Sequence, residues 1–250
     1  MNLNNAVAVV TGGNGGLGQR ICAALAAAGA RIAVICARSL DDAQAVASQL
    51  EREHAVEAQA FQCDVTDPKQ VRAMVDAVLA RFGRIDILIN DAAYNKSIPF
   101  KDLDALTNED WSKILDVNLT GPMHCIKAVA PVMKSQGDGR IVNIASVAGL
   151  HPVGSSIAYA VSKAGLIHLT RCMAVALAPE VLVNCVAPGL LEGTRATSNL
   201  SQAQLDHAAK TAVLGMPADK DDCADQVLTL CRTKTTTGQT VVIDAGRVFH

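Results

Sequence analysis

Apolar residues along the chain fall into two kinds of segment that alternate. Short, β-branched runs occupy residues 6–10, 31–37, 58–63, 85–90, 140–145, 181–187 and 240–244. They are apolar throughout rather than alternating with polar residues, which is the pattern of strands buried on both faces. Between them, apolar residues three and four apart predict helices over 16–29, 41–54, 68–82, 109–134, 156–178 and 219–232. Strict alternation of strand and helix implies right-handed βαβ crossovers. The expected fold is therefore α/β, a doubly wound seven-stranded parallel sheet with helices on both faces. No linker, low-complexity tract or repeat interrupts the pattern, so residues 1–250 read as a single domain. The exception is the 190–218 segment, about 28 residues between a strand and the next clear helix, and connections this long are commonly functional. It is expected to act as a substrate lid, with a helix over 201–213.

Composition narrows the partners. A chain of 250 residues that is 50% hydrophobic can bury a sizeable core, and its net charge of −2 offers no basic excess for nucleic acid. Small molecules are the expected partners. No run approaches the roughly 18–20 uninterrupted apolar residues of a membrane span, and Met1-Asn2-Leu3-Asn4 lacks the regions of a secretory signal, so a soluble cytoplasmic protein is expected. The eight cysteines include no C-x-x-C pair and several lie in apolar runs. They read as reduced core residues, with no metal site.

The first strand runs into Thr11-Gly12-Gly13-Asn14-Gly15-Gly16-Leu17-Gly18 and then a helix. Glycines there let the backbone approach a pyrophosphate, and the helix N-terminus attracts its charge, so this junction predicts a Rossmann-type dinucleotide site. The second strand ends Cys36-Ala37-Arg38-Ser39, with no acidic residue to hold a ribose 2′-hydroxyl and with a guanidinium suited to a 2′-phosphate. NADP(H) is favoured, with NAD(H) left open.

Tyr159 and Lys163 are four apart in a predicted helix and share one face. An ammonium beside a phenol favours phenolate, so Lys163 is expected to lower the Tyr159 pKa and let it exchange a proton with a substrate oxygen. Ser146, at the carboxyl end of a strand, could hold the same oxygen. Asn118, inside the long fourth helix, could interrupt its ladder and anchor a water linked to Lys163.

Taken in order, these motifs resemble the short-chain dehydrogenase/reductase family, in its compact subtype with T-G-x-x-x-G-x-G and Y-x-x-x-K. The similarity also covers Asp64-Val65, Asn90-Asp91-Ala92-Ala93 and Val183-Asn184…Pro188-Gly189. It implies an oxidoreductase moving a hydride between nicotinamide C4 and a carbonyl or secondary alcohol. Tyr159 would be the acid/base, Lys163 its partner on the nicotinamide ribose, Ser146 the substrate-orienting hydroxyl and Asn118 the support of a proton relay. The cofactor-binding set it implies is Thr11, Gly12, Asn14, Gly16, Leu17, Gly18, Arg38, Ser39, Asp64, Val65, Asn90, Ala92, Tyr159, Lys163, Pro188, Gly189 and Thr194. The chain departs from the pattern at Ala93, where the family often has glycine, at Gly193, where a threonine is common and Thr194 stands next to it, and in lacking a basic residue within the glycine turn.

Proximity to the motif loops nominates Tyr94, His151, Val153, Leu190 and Leu191 as substrate-pocket residues, with His151 alternatively an exposed turn residue. The family is commonly a homotetramer or homodimer, and Val248-Phe249 could be an interface or an inward-folded tail. A catalytically silent NADP(H) sensor or scaffold, and an epimerase or dehydratase using the same residues, are the competing readings.

Overall fold

The computed structural model describes residues 1–194, Thr197 and residues 202–249, without the side chain of Gln204. Seven parallel strands form one sheet in the order β3-β2-β1-β4-β5-β6-β7. They are β1 (Val7–Thr11), β2 (Arg31–Cys36), β3 (Ala58–Gln62), β4 (Ile87–Asn90), β5 (Gly139–Ile144), β6 (Val181–Pro188) and β7 (Thr240–Ile243). The helices are α1 (Gly18–Ala27), α2 (Leu40–His54), α3 (Pro68–Phe82), α4 (Asn108–Leu115), α5 (Gly121–Gln136), α6 (Ile157–Leu177), α7 (Gln202–Thr211) and α8 (Lys220–Arg232). The single-domain doubly wound fold matches the expectation, and strand order reverses direction between β1 and β4.

Side chains alternate across a strand, so each apolar run feeds two cores. Ala8, Val10, Ile32, Val34, Ile87 and Ile89 pack with α1, α2 and α8 on one face. Val7, Val9, Ala33, Ile35, Leu88 and Ile141 pack with α3 and α5 on the other. The expectation of strands buried on both faces fails at the edges. In β3, Ala58 and Ala60 are buried while Gln62 is exposed, and all four residues of β7 are only half-buried. Each edge strand has one neighbour, so part of its surface stays in contact with water.

The predicted 109–134 helix is continuous but widens around the polar Asn118. Chain runs from α4 through a π-helical turn, Asp116–Thr120, into α5. Asn118 is buried in that turn. The π turn re-aims its side chain out of the helix ladder and toward neighbouring elements.

Cysteines are core residues at seven positions, with burial pushing the thiols of Cys63, Cys185 and Cys231 up to about 11, 11 and 12. Cys172 corrects that expectation, because it lies on the exposed side of α6. Helix α6 has the length and apolarity of a membrane span, with a mean hydropathy of 1.2 in its most apolar window. It is a core helix: Leu166 and Ile167 pack on Cys185 and Ala187 of β6.

The loop entering β4 carries a stability-determining carboxylate. Asp86 is 3% exposed and accepts hydrogen bonds from Val7 N–H at 2.8 Å and from Arg84 Nη2 at 2.6 Å. Asp86→Ala leaves the Val7 amide without that acceptor while Arg84 can turn to water, so a loss of about 2–3 kcal/mol is expected in urea unfolding.

Of the 190–218 segment, Leu191 forms a parallel bridge to Ala218 and α7 covers most of the helix expected at 201–213. Residues 195–196 and 198–201, with the helix start expected at Ser201, lie outside the described residues. At the chain end, Asp244 holds Val248 N–H at 2.7 Å and folds the tail back, leaving Phe249 exposed.

Candidate functional site

The carboxyl ends of β1, β4, β5 and β6 open on a cavity of about 710 Å³. Opposite the glycine turn it is lined by Ser146, Tyr159 and Lys163, and it is closed by Pro188, Gly189, Leu190, Leu191 and Thr194. This is where strand order reverses, the position at which doubly wound sheets bind ligands.

Each side chain is placed by local chemistry. Ser156 caps α6 by accepting from Tyr159 N–H at 3.1 Å, which puts Tyr159 in the first turn and Lys163 one turn later. Ser146 follows β5, and its hydroxyl caps the short 3₁₀ turn Val147–Gly149 through Ala148 N–H at 3.2 Å. That turn packs directly on α6: a Cβ at Gly149 would lie 2.6 Å from the Lys163 carbonyl carbon, so only glycine permits the approach. Lys163 is 3% exposed, donates to Ile144 O at 2.7 Å, and holds Nζ 5.7 Å from the Tyr159 ring centroid. Asn118 accepts from Tyr94 N–H at 2.7 Å and donates to Tyr94 O and Ser162 Oγ at 3.0 and 3.1 Å. Its amide therefore clamps the loop after β4 to α6, where a water-anchoring role was expected for it.

Electrostatics departs from the sequence expectation. Burial pushes the Tyr159 phenol above its ordinary value, with the Ser146 hydroxyl offsetting part of the effect and the Asp91 carboxyl adding to it. Desolvation sets that direction, against the lowering expected from Lys163. Burial brings Lys163 down to about 8, opposed by Asp91 and Cys185. Asp91, raised by burial to about 7 and held down somewhat by Lys163, completes the group.

Of the sequence-nominated residues, Gly12, Asn14, Gly16, Leu17, Ala92, Ser146, Val153, Tyr159, Lys163, Pro188, Gly189, Leu190, Leu191 and Thr194 line the cavity. Others stand outside it. Thr11 is a buried clip, its Oγ1 accepting from Asp91 and Ala92 N–H at 3.1 and 3.2 Å. Asn90 donates to Asn143 Oδ1 at 2.8 Å in a buried amide pair. Asp64 is exposed and accepts from Thr66 N–H and Oγ1 at 2.9 and 2.8 Å, while Val65 packs beneath it. Arg38 and Ser39 sit on the loop after β2, tied to the glycine turn by Asn14 Nδ2 donating to Ser39 O at 3.4 Å. Tyr94 turns away under Lys113, whose Nζ lies 4.5 Å from its ring centroid, and His151 is on an exposed turn.

Cavity residues that sequence reasoning missed include Asp91, Lys96, Ser97, His207 and Arg247. Asp91 carried a signal, being the acidic residue inside the Asn90-Asp91-Ala92-Ala93 motif. His207 and Arg247 carried none, because only the folding of the 190–218 segment and of the tail brings them to the cavity.

A dinucleotide fits these residues. The N-terminus of α1 has no side-chain cap, so its positive dipole end is left to an anion, with Gln19 N–H already donated to Gly15 O at 3.0 Å. The adjoining turn is a cradle that a side chain would fill: a Cβ at Gly16 would lie 2.9 Å from Gly193 O, and one at Gly18 would lie 2.3 Å from Gly12 O. Among the described residues no cluster of three or more His, Cys, Asp or Glu side chains could hold a metal.

Comparison with known proteins agrees with this geometry. A family model described as short chain dehydrogenase matches residues 6–205. The chain is 38% identical over 241 residues to a Streptomyces violaceoruber protein provisionally named granaticin polyketide synthase ketoacyl reductase 2, covering 96% of this chain and 95% of that protein. It is 36% identical over 244 residues to the 3-oxoacyl-[acyl-carrier-protein] reductase of Synechocystis sp., covering 97% of each. The crystal structure of NADPH-dependent 3-quinuclidinone reductase from Rhodotorula rubra superposes with a TM-score of 0.89 at 27% identity, covering 98% of this chain and 92% of that one. With the parallel sheet, the glycine cradle and the Tyr159–Lys163 pair in place, the chain belongs to the short-chain dehydrogenase/reductase family, as an oxidoreductase of carbonyl and alcohol groups that uses NAD(P).

Proposed function

We propose that the protein is an NADPH-dependent reductase of 3-oxoacyl groups, with Tyr159 as the proton donor. The observation that carries this reading is the convergence of Ser146, Tyr159 and Lys163 on one cavity beside the glycine turn, with burial keeping the Tyr159 phenol in its acid form. A group in that state suits carbonyl reduction, where the oxygen must gain a proton.

When bound, the nicotinamide supplies hydride at C4 to the carbonyl carbon. The Tyr159 hydroxyl gives its proton to the carbonyl oxygen, and the product is a secondary alcohol. Ser146, beside Tyr159, orients that oxygen. Lys163, fixed by Ile144 O, holds positive charge below about pH 8 and so favours the phenolate left behind. Asn118 acts through the loop it clamps, keeping the cavity wall in register with α6. The 190–218 segment would serve as the lid, since Leu190, Leu191, Thr194, Thr197, His207 and Ala208 all face the cavity. The relatives named for ketoacyl and 3-oxoacyl reduction support the acyl class of substrate.

Support for NADPH is Arg38, an exposed guanidinium just after β2 that pairs with no described residue, in a junction, Cys36-Ala37-Arg38-Ser39, that itself carries no carboxylate. A cytoplasmic homo-oligomer, dimeric or tetrameric, is part of the proposal. The exposed apolar side chains Met123 of α5 and Val161 and Val175 of α6 support it.

Paired turnover of a 3-oxoacyl thioester and simple ketones with NADPH and NADH tests the reading. Arg38→Ala is expected to weaken NADPH by about 10–100-fold in KM, the loss of one charged hydrogen-bonding group, with NADH little changed. A wild-type kcat/KM higher with NADH overturns the cofactor assignment, and turnover of the ketones alone overturns the acyl one.

A further inference from the structure

We propose that Arg247 forms an anion subsite of the cavity, taking a carboxylate or phosphate that the substrate carries a short distance from the carbonyl to be reduced. The inference rests on the reading of Tyr159 as the proton donor, since that fixes which end of the cavity holds the carbonyl.

The chain end is built to hold Arg247 on the cavity wall. Directly after β7, Asp244 seats against Gly189, where an added Cβ would lie 2.8 Å from Asp244 Cβ. Ala245 and Gly246 follow with φ of 58° and 78°, two consecutive left-handed residues that turn the chain back. Asp244 Oδ1 accepts from Gly246 N–H at 2.9 Å and Oδ2 from Val248 N–H at 2.7 Å. Ala245 O and Gly246 O accept from Leu214 and Val213 N–H at 3.0 and 3.4 Å, which ties the turn to the segment after α7. Arg247 is therefore fixed through bonds to the residues on both sides of it.

Its charge is not matched by the protein. Arg247 lines the cavity and is half-buried, and among the described residues its guanidinium makes no hydrogen bond or ion pair. Guanidinium groups that serve the fold are engaged: Arg84 donates to Asp86 at 2.6 Å and Arg140 to Thr233 O at 3.1 Å. Asp244, the acid nearest in sequence, has both oxygens on backbone amides. Asp91, the one carboxylate among the described cavity residues, follows β4, three strands from β7 and so about 14 Å away at the backbone. Lys96 is already paired with Asp110 at 2.6 Å, and His207 on the same wall adds no negative charge. A guanidinium is permanently charged, and its planar fork matches a carboxylate or phosphate. Ser146 follows β5, two strands from β7 and about 10 Å away at the backbone. A cavity of 710 Å³ takes one small ligand, so a molecule reaching from Ser146 and Tyr159 to Arg247 carries its carbonyl and its anion within a few bonds of each other.

The test uses probes without a ketone: hexanoate against hexanamide, and hexyl phosphate against hexan-1-ol, each titrated calorimetrically into protein saturated with NADPH. At least one anion is expected to bind about 10-fold or more tighter than its neutral counterpart, the worth of one hydrogen bond to a charged group. Arg247→Gln and Arg247→Met should each abolish that preference and leave NADPH affinity unchanged. A preference for hexanoate assigns a carboxylate to the subsite, and a preference for hexyl phosphate assigns a phosphate. Equal binding within both pairs by the wild-type protein overturns the proposal, as does a preference that survives both substitutions. Weakened NADPH binding in the variants would place Arg247 on the cofactor and also overturn it. These titrations need no turnover, so a failure to reduce any carbonyl would refute the proposed reaction and leave the result on Arg247 standing.

Discussion

Tyr159→Phe is expected to lower kcat for carbonyl reduction by about 10²–10⁴-fold, the usual worth of a positioned proton donor, while NADPH affinity changes little. The benzene ring keeps its place beside Lys163, whose Nζ lies 5.7 Å from the ring centroid and is anchored on Ile144 O, so the cavity wall survives the change. What is lost is the one hydroxyl whose proton burial retains. The sign of the pH dependence follows. Because the phenol is raised, the acid form is fully present at neutral pH, and reduction in the wild type should stay level there and fall only on the alkaline side. Alcohol oxidation needs the phenolate and should rise with pH over the same interval. Steady-state kinetics in both directions, with fluorescence titration of NADPH, measures all of this. Turnover within a few-fold of wild type would remove Tyr159 from the reaction. Product formed without net NADPH consumption would mark an epimerase, and biological activity untouched by the substitution would mark a dinucleotide sensor.

Gly18→Ala should weaken dinucleotide binding by about 10–100-fold, the worth of one hydrogen bond to a charged group, because the turn that would hold the pyrophosphate is displaced. The added methyl would stand 2.3 Å from Gly12 O and 2.9 Å from Gly13 Cα, distances that real Cβ atoms essentially never show. Both obstacles are backbone, so the turn itself must move and carry the α1 N-terminus with it. A stability loss of about 1–3 kcal/mol should accompany the change, as for overpacked cores. Equilibrium binding of NADPH and urea unfolding separate the two effects. Unaltered affinity would mean that the turn does not cradle the cofactor.

Much of the architecture was legible in the order of residues because it is written locally. A β-branched run fills both faces of a strand wherever it lies, and seven such runs separated by helical spacing leave little besides a doubly wound parallel sheet. The i, i+4 spacing of Tyr159 and Lys163 puts them on one helical face before any packing is considered. The glycine turn is equally local, since the small residues are needed where backbone meets backbone within a few positions. Edge strands were read less well. Nothing in the run at β3 or β7 says that one side will lack a neighbour, and that depends on where the sheet stops.

The site shows the same division. Order along the chain was enough to nominate Ser146, Tyr159 and Lys163, and all three converge on the cavity. The depth of that cavity was decided only by folding, and depth reverses the expected tyrosine shift: desolvation acts on every buried charge, and Lys163 is itself brought down to about 8. Asn118 was found for its position, while its bonds to Tyr94 and Ser162 depend on a π turn meeting a distant loop. His207 and Arg247 reach the cavity from α7 and the folded-back tail. Local pattern therefore specified the elements, the glycine cradle and the paired catalytic face, because each is set by residues within one turn or one strand. Burial, charge coupling and the far wall of the pocket came from tertiary structure, because a side chain's solvation and its neighbours are properties of the assembled fold.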